Sequence, residues 1–262
     1  MNKSHKETLA FTLIELLVVA GMIAMLMAML LPALARTGAG SARITCANNL
    51  KQISMGFKTW EQNHSNRYPM LVPSSSGGPP NQTAFQSVAT YGALYMCQVF
   101  GVMSNELGTP KILNCPADER NAHTNFLTVL NNNFSPAASG LDNSKISYFL
   151  GKDASDGRPQ MILAGDRNIY GWSGLTTLPG SIPAYGDGGS GTTIAATAIS
   201  MGTNMNSTAV PIWTPSKMHQ SQGNAVLADG SVQQLNNAHL RQLLSNSGDT
   251  STTPGPNTLL FP

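Results

Sequence analysis

Hydrophobic positions divide this chain near residue 65. Residues 16–35 form a run of 20 without a charge, the length of helix that spans the hydrocarbon core of a bilayer. Glu15 stands at the head of that run. Beyond Pro32 the pattern changes: Ile44, Ala47, Leu50, Ile53, Phe57 and Trp60 recur at steps of three and four, an amphipathic stripe. The two patterns together predict one helix over residues 12–63, apolar all round in its first half and one-sided in its second. Gly38 and Gly40 each cost a helix roughly 1 kcal/mol relative to Ala, so a bend or local melting is expected there.

The remaining pattern is shorter in range. Residues 73–80, Pro-Ser-Ser-Ser-Gly-Gly-Pro-Pro, are a loop by composition. Residues 83–107 read as one or two helices, 111–116 as a short strand ended by Pro116, and 131–143 as an Asn/Ser-rich loop. Residues 146–150 and 160–164 are strand candidates, and 179–207 form a long Gly/Thr/Ser stretch with weak periodicity, expected to be an exposed loop. In residues 224–235 the pair Asp229-Gly230 separates two apolar runs. That pattern predicts a β-hairpin with a two-residue type I′ turn, followed by a short helix over 238–244. Residues 248–262 read as a flexible tail.

Composition narrows the function classes. Of 262 residues only 11% are charged, against roughly 25% in ordinary soluble domains, and the net charge is +2. No basic block or stripe is present, which argues against nucleic-acid binding. A body rich in Asn, Ser, Thr and Gly suits an exported, loop-rich protein. The three cysteines, Cys46, Cys97 and Cys115, form no C-x-x-C, which counts against a zinc or thioredoxin-type motif. Outside the cytoplasm one disulfide and one leftover thiol are expected; the alternative is three small buried apolar side chains.

Glu15 is costly inside a membrane run, about 2.5–3.5 kcal/mol on insertion scales, so a partner is expected. Thr12-Leu13-Ile14-Glu15 fits the capping box Ser/Thr-x-x-Glu, which places the carboxylate in the first turn where the helix dipole favours it. A second arrangement requires a cut between Ala10 and Phe11. The new α-amino group would lie four residues before Glu15, and in an assembly the ammonium of one subunit would pair with the Glu15 of its neighbour.

A short basic leader over residues 1–10, then Phe11-Thr12-Leu13-Ile14-Glu15, then the apolar helix, resembles the class III signal of type IV pilins and type II secretion pseudopilins. The resemblance implies cleavage after Ala10 and methylation of Phe11 by a prepilin peptidase. It further implies assembly through Glu15 with copies of this chain or other pseudopilins, on an inner-membrane platform. Pro32 falls where many pilins carry a helix-kinking proline. The family usually has Gly before the cut, and this chain has Ala10. A competing pattern is Ala33-Leu34-Ala35, an A-x-A site of an ordinary secretory signal; the length of the apolar run and the position of Glu15 count against it. Charge gives the opposite topology from the resemblance: Arg36, Arg43, Lys51 and Lys58 follow the span with no acid before Glu61, which a positive-inside count puts in the cytoplasm. The resemblance implies instead a single-pass inner-membrane protein with its body translocated.

His219 precedes Asp229-Gly230 with nine residues between, similar to the H-X9-DG signature of a pilin-like family common in planctomycete and verrucomicrobial bacteria. Cys46-Ala47-Asn48-Asn49-Leu50, Tyr68-Pro69, Leu113-Asn114-Cys115-Pro116-Ala117-Asp118 and Ala164-Gly165-Asp166-Arg167-Asn168 also resemble it. The resemblance implies the disulfide pair Cys46–Cys115. Fully extended, His219 and Asp229 would stand roughly 30 Å apart at about 3.3 Å per residue, so contact requires the chain before Asn224 to fold back. Otherwise Asp229 is turn chemistry and His219 a structural hydrogen-bonder.

No Gly-x-Ser-x-Gly elbow accompanies His219, Asp166 and Asp229, and residues 186–191 lack the Gly-Lys-Ser/Thr end of a phosphate loop, so no catalytic residue is assigned. Some major pseudopilins are stabilised by calcium. Asp166 and Asp187 are candidate oxygen donors for such an ion, though no spacing identifies a site, and no other cofactor is expected. The expectation is therefore an α+β, pilin-like protein. It comprises a leader (1–10), a transmembrane assembly helix (11–35), its amphipathic continuation (36–65), a globular domain with a small antiparallel sheet packed on that helix (66–247), and a flexible tail (248–262). The function expected is a structural subunit of a pseudopilus or pilus-like fibre; the alternative is a membrane-anchored module binding a glycan or protein.

Overall fold

The computed structural model describes residues 12–79, 92–126, 143–171, 198–203, 205, 211–215, 218–252 and 255–262. Ala10, Phe11 and Asp187, with most of the 131–143 and 179–207 stretches, lie outside the described residues. Two compact units are present, Met1–Ser41 and Ala42–Pro262.

Helix α1 (Leu13–Asn63) runs unbroken through Gly38 and Gly40, so the expected local melting does not occur. Its segment Leu13–Leu31 has a mean hydropathy of 2.5 and none of it is buried. It is long and apolar enough to be a membrane anchor, a test that a signal sequence also meets. In the second unit α1 changes character. Cys46, Leu50, Ile53, Phe57 and Trp60 are buried, each three or four residues on from the last, which is the spacing of one helix face.

That face packs against α2 (Gly92–Val102), α3 (Ser104–Leu107) and one side of a β-sheet, in a core holding Met96, Phe100, Met103, Leu113 and Leu163. The Phe57 ring meets Tyr68 and Phe100 edge-on at 5.5 and 6.4 Å, the arrangement that aromatic quadrupoles favour. The sheet strands are β1 (Tyr148–Gly151), β2 (Ile162–Asp166), β4 (Ala198–Ser200), β6 (Gln222–Leu227), β7 (Val232–Asn236) and β8 (Thr258–Leu260), in spatial order β4-β8-β1-β2-β6-β7. All five pairings are antiparallel. Strands β3 (Ile169–Tyr170) and β5 (Ile212–Trp213) form a separate pair.

Both sheet faces are covered. Tyr148, Leu150, Val226 and Leu260 enter the α1 core. Their neighbours Phe149, Ala225, Leu227 and Leu259 join Leu240 and Leu244 of α4 (Asn237–Ser245) in a second core. Alternate residues of a strand point to opposite faces, and with both faces dry β1 and β2 are buried at every position.

The structure corrects several expectations. Residues 110–113 are a 3₁₀ turn rather than a strand: Pro110 has a fixed φ suited to a helical start, and Thr109 caps the turn by accepting from the Lys111 N–H. The stretch 179–207 contains β4. The tail is no loose end: β8 lies between β4 and β1, and Phe261 is fully buried with its ring 5.5 Å from Phe149. The Asp229 turn is not type I′. Leu227 N–H donates to Ser231 O and Gly230 N–H to Leu227 O, both at 2.9 Å. Only Gly230 of the turn has positive φ, at 86°, so this is the three-residue loop with a glycine bulge.

Candidate functional site: a disulfide, an imidazole and a buried carboxylate

Four chain segments converge at one end of β6. Cys46 on the buried face of α1 forms a disulfide with Cys115, which follows the 3₁₀ turn at Pro110–Leu113. The Nε2 of His219 lies 3.5 Å from Cys115 Sγ and 3.5 Å from Oδ2 of Asp166. Asp166 ends β2 and its side chain is fully buried. The third cysteine, Cys97, is buried in the α1 core, outside the disulfide.

Each group is held by local structure. Asp166 Oδ2 accepts from the Asn224 backbone N–H at 2.6 Å and from its side-chain amide at 2.9 Å. The Asp166 carbonyl accepts from the Trp213 indole at 3.1 Å. Its Oδ1 is buried and has no hydrogen-bond partner among the described residues. His219 is presented by a tight reversal in which Met218, Gln220 and Ser221 have φ of 49°, 50° and 61°. Non-glycine residues pay roughly 1 kcal/mol or more for that left-handed region, so the surrounding contacts must hold the reversal in place.

Burial sets the charges. It pushes the Asp166 carboxyl up to about 7, against the Asn224 hydrogen bonds and the Arg43 charge, which lower it. It pushes the His219 imidazole down to about 4, and the Arg43 charge adds to that. The pair is therefore a neutral imidazole beside a carboxyl that resists ionisation, not an ion pair.

A buried ion pair lies next to it. Arg167 donates from Nε to Asp118 Oδ2 at 2.8 Å and from Nη2 to Oδ1 at 2.7 Å. Asn49 of α1 donates to the Asn114 carbonyl at 2.9 Å, and Asn114 donates to the Arg120 carbonyl at 2.7 Å. The segments around Cys46, Cys115 and Asp166 thus form one polar cluster between α1 and the sheet.

His219 and Asp229 do not act on each other; they occupy opposite ends of β6. Asp229 Oδ1 accepts from Ser231 N–H at 2.7 Å as turn chemistry. The turn itself is clamped by Lys51 Nζ on the Gly230 carbonyl and Tyr68 OH on the Ala228 carbonyl, both 2.9 Å. The nine-residue spacing is the length of the reversal, β6 and the first loop residue taken together. The chain before Asn224 does fold back, but toward Asp166.

At the other extreme of the chain, Thr12 and Glu15 form a reciprocal capping box. Glu15 Oε2 accepts from Thr12 N–H at 2.9 Å and from Thr12 Oγ1 at 2.7 Å, while Thr12 Oγ1 accepts from Glu15 N–H at 3.3 Å.

Sequence reasoning missed Arg43 and Asn224. Arg43 bonds Gln222 and its charge reaches Asp166. Asn224 carried a signal, since a polar amide inside an apolar strand must find a buried partner. A calcium site using Asp166 does not fit: its neighbours are sulfur and imidazole, whereas calcium takes oxygen ligands. Comparison of this chain with protein-family models, curated proteins and solved structures gave no match.

Proposed function

We propose that this chain is a prepilin-like structural subunit, processed after Ala10 and assembled through its N-terminal helix into a type II secretion pseudopilus or type IV pilus-like fibre. The observation that carries the reading is the division of α1. Leu13–Leu31 buries nothing of itself, so water-exposed Leu, Ile, Val and Met must be covered by lipid or by neighbouring helices. The same helix supplies core residues from Cys46 onward. Glu15, with its carboxylate in the first turn, is the group that a neighbour's Phe11 ammonium would pair with. The partners in this reading are prepilin peptidase, other copies or pseudopilins, an inner-membrane platform and lipid. The body lies in the periplasm or on a surface fibre.

A membrane-anchored binding module is the second reading. An open groove in which Gln233, Gln234, Gln242 and Asn246 stand beside Leu235 and Leu243 favours it, since amide side chains suit the hydroxyls of a ligand and leucines its apolar faces.

Mass spectrometry of the native protein tests the first step. A methylated Phe11 terminus supports it, a start at Arg36 points to a secreted domain, and an intact Met1 leaves an uncleaved anchor. Glu15→Ala then separates the readings: loss of fibres with a folded body supports assembly, and unchanged behaviour supports the binding module.

A further inference from the structure

We propose that Cys46, Cys115, His219 and Asp166 form a zinc site closed by the disulfide. When the Cys46–Cys115 bond is reduced, the two thiolates, the imidazole Nε2 and a carboxylate oxygen bind one Zn²⁺ tetrahedrally. The site is independent of how the chain assembles.

The geometry points to it. The four candidate donor atoms lie within 4.8 Å of one another. Zinc bonds of about 2.0–2.3 Å place tetrahedral ligands about 3.3–3.8 Å apart. His219 Nε2 is 3.5 Å from Cys115 Sγ, so one edge of the tetrahedron already has the right length, and 3.5 Å from Oδ2 of Asp166, which brings that carboxylate within reach of a second. The sulfur–sulfur edge is the covalent bond itself and opens on reduction. Two sulfurs, an imidazole and a carboxylate suit zinc, and oppose calcium or magnesium.

Electrostatics and positioning agree. Two thiolates and a carboxylate around Zn²⁺ carry net −1, and the Arg43 guanidinium, whose charge is felt by Asp166, balances it. Asp166 is fully buried with Oδ1 unpartnered among the described residues. Asn224 fixes the carboxylate through two hydrogen bonds, as outer groups orient metal ligands elsewhere. The left-handed reversal at Met218, Gln220 and Ser221 aims the imidazole at the sulfurs.

The chemistry balances. A dithiol or phosphine reductant gives two electrons to the disulfide, and two protons make the thiols. Zn²⁺ then displaces those two protons, together with the Asp166 proton where the buried carboxyl holds one. In reverse, a disulfide oxidant accepts the two electrons and is reduced to a dithiol, the Cys46–Cys115 S–S bond forms and Zn²⁺ leaves. The pocket thus holds either a disulfide or a metal.

The test uses the full chain in detergent, reduced with a phosphine, freed of reductant without oxygen, and titrated with Co²⁺. One Co²⁺ per chain should bind, with the visible bands of tetrahedral cobalt and a thiolate-to-cobalt charge-transfer band, and Zn²⁺ should bleach both. The oxidised chain should show neither. His219→Gln and Asp166→Asn should each weaken binding by at least about tenfold, the size of loss that even outer groups bring, and Cys115→Ser should abolish the charge-transfer band. Equal binding by the oxidised chain, or unchanged affinity in the His219 and Asp166 variants, overturns the site. Should reduction unfold the chain, circular dichroism in Zn²⁺ decides: refolding of wild type but not of His219→Gln supports the site, and a chain that stays unfolded overturns it.

Discussion

Arg167 and Asp118 are joined by two parallel hydrogen bonds of 2.7 and 2.8 Å, with each side chain about 1% exposed. Burial pushes the Asp118 carboxyl up, but the Arg167 hydrogen bonds and charge outweigh it and hold it below its usual value. A carboxyl lowered on folding contributes stability above its unfolded value and loses it as pH falls through the folded one. Asp118→Ala should destabilise the oxidised chain by about 3–5 kcal/mol in urea melts, because one charge of a buried pair remains. The double variant Asp118→Leu/Arg167→Met should recover much of that loss. Equal destabilisation by single and double variants would contradict this account.

Asp166 and His219 make opposite contributions to acid stability. In the oxidised chain Asp166 titrates near 7 instead of 3.8, so the folded state holds the extra proton and stability falls as pH rises from about 4 to 7. His219 titrates near 4 instead of 6.5, so the unfolded state holds the extra proton and stability rises over about 4 to 6.5. Each slope is about 1.4 kcal/mol per pH unit at its steepest, and over the shared window they cancel. The groups that also bear on the pair are Arg43 from α1, Asp118, and Tyr148 from β1. Urea midpoints of His219→Gln should therefore fall between pH 4.5 and 6, and those of Asp166→Asn should rise. Parallel profiles for the two variants would refute the opposition.

The Cys46–Cys115 bond closes a loop with a sequence separation of 69. Chain-entropy reasoning gives such a closure about 4 kcal/mol. Cys46→Ala/Cys115→Ala should lower stability by about that amount, with the denaturant slope raised slightly because the unfolded chain is free to expand. A loss under about 1 kcal/mol would mean that the unfolded chain already holds these segments together.

How much of this was legible in the sequence follows the range of the interactions. The period of α1 and the Asp-Gly hairpin are written locally, within a few residues, and both elements exist. The polar cluster is not local. Cys46, Cys115, Asp166 and His219 come from four segments, so no spacing such as C-x-x-C announces them; the resemblance joins Cys46 to Cys115, which the structure shows as a disulfide, and points to the Asp166 and His219 segments separately. The tail failed for the same reason. Thr258-Leu259-Leu260 is three residues long, too short for periodicity to register, and becomes a strand only because β1 and β4 offer edges on both sides. The Asp229 turn lies where the Asp-Gly pair puts it but is of another type. The register Val226↔Val232 leaves Ala228, Asp229 and Gly230 in the loop, and that register is set by which residues face α1.

β8 should accordingly be essential. Phe261 is fully buried against Phe149, and a buried Phe→Ala costs about 3–5 kcal/mol. Phe261→Ala should shift the thermal midpoint down by several degrees, and a chain ending after residue 254 should fail to fold by circular dichroism. A truncated chain that melts like the full one would restore the view of this segment as a dispensable tail.

Gly223 and Trp213 set the last expectation. A Cβ built at Gly223 would lie 2.1–2.5 Å from the Trp213 ring, and that ring is fully buried with its N–H on the Asp166 carbonyl. Trp213 cannot retreat without giving up that bond. Gly223→Ala should therefore cost about 1–3 kcal/mol, the usual penalty for overpacking, and move the indole as well. Gly157→Ala, which meets nothing within 4 Å, is the control and should be near neutral. Trp fluorescence shifted in the first variant and unchanged in the second would place the strain at the Trp213 ring, beside the Asp166 backbone. An unshifted spectrum with wild-type stability would mean that β6 can slide away from the ring, and that the Asp166 carbonyl does not fix it.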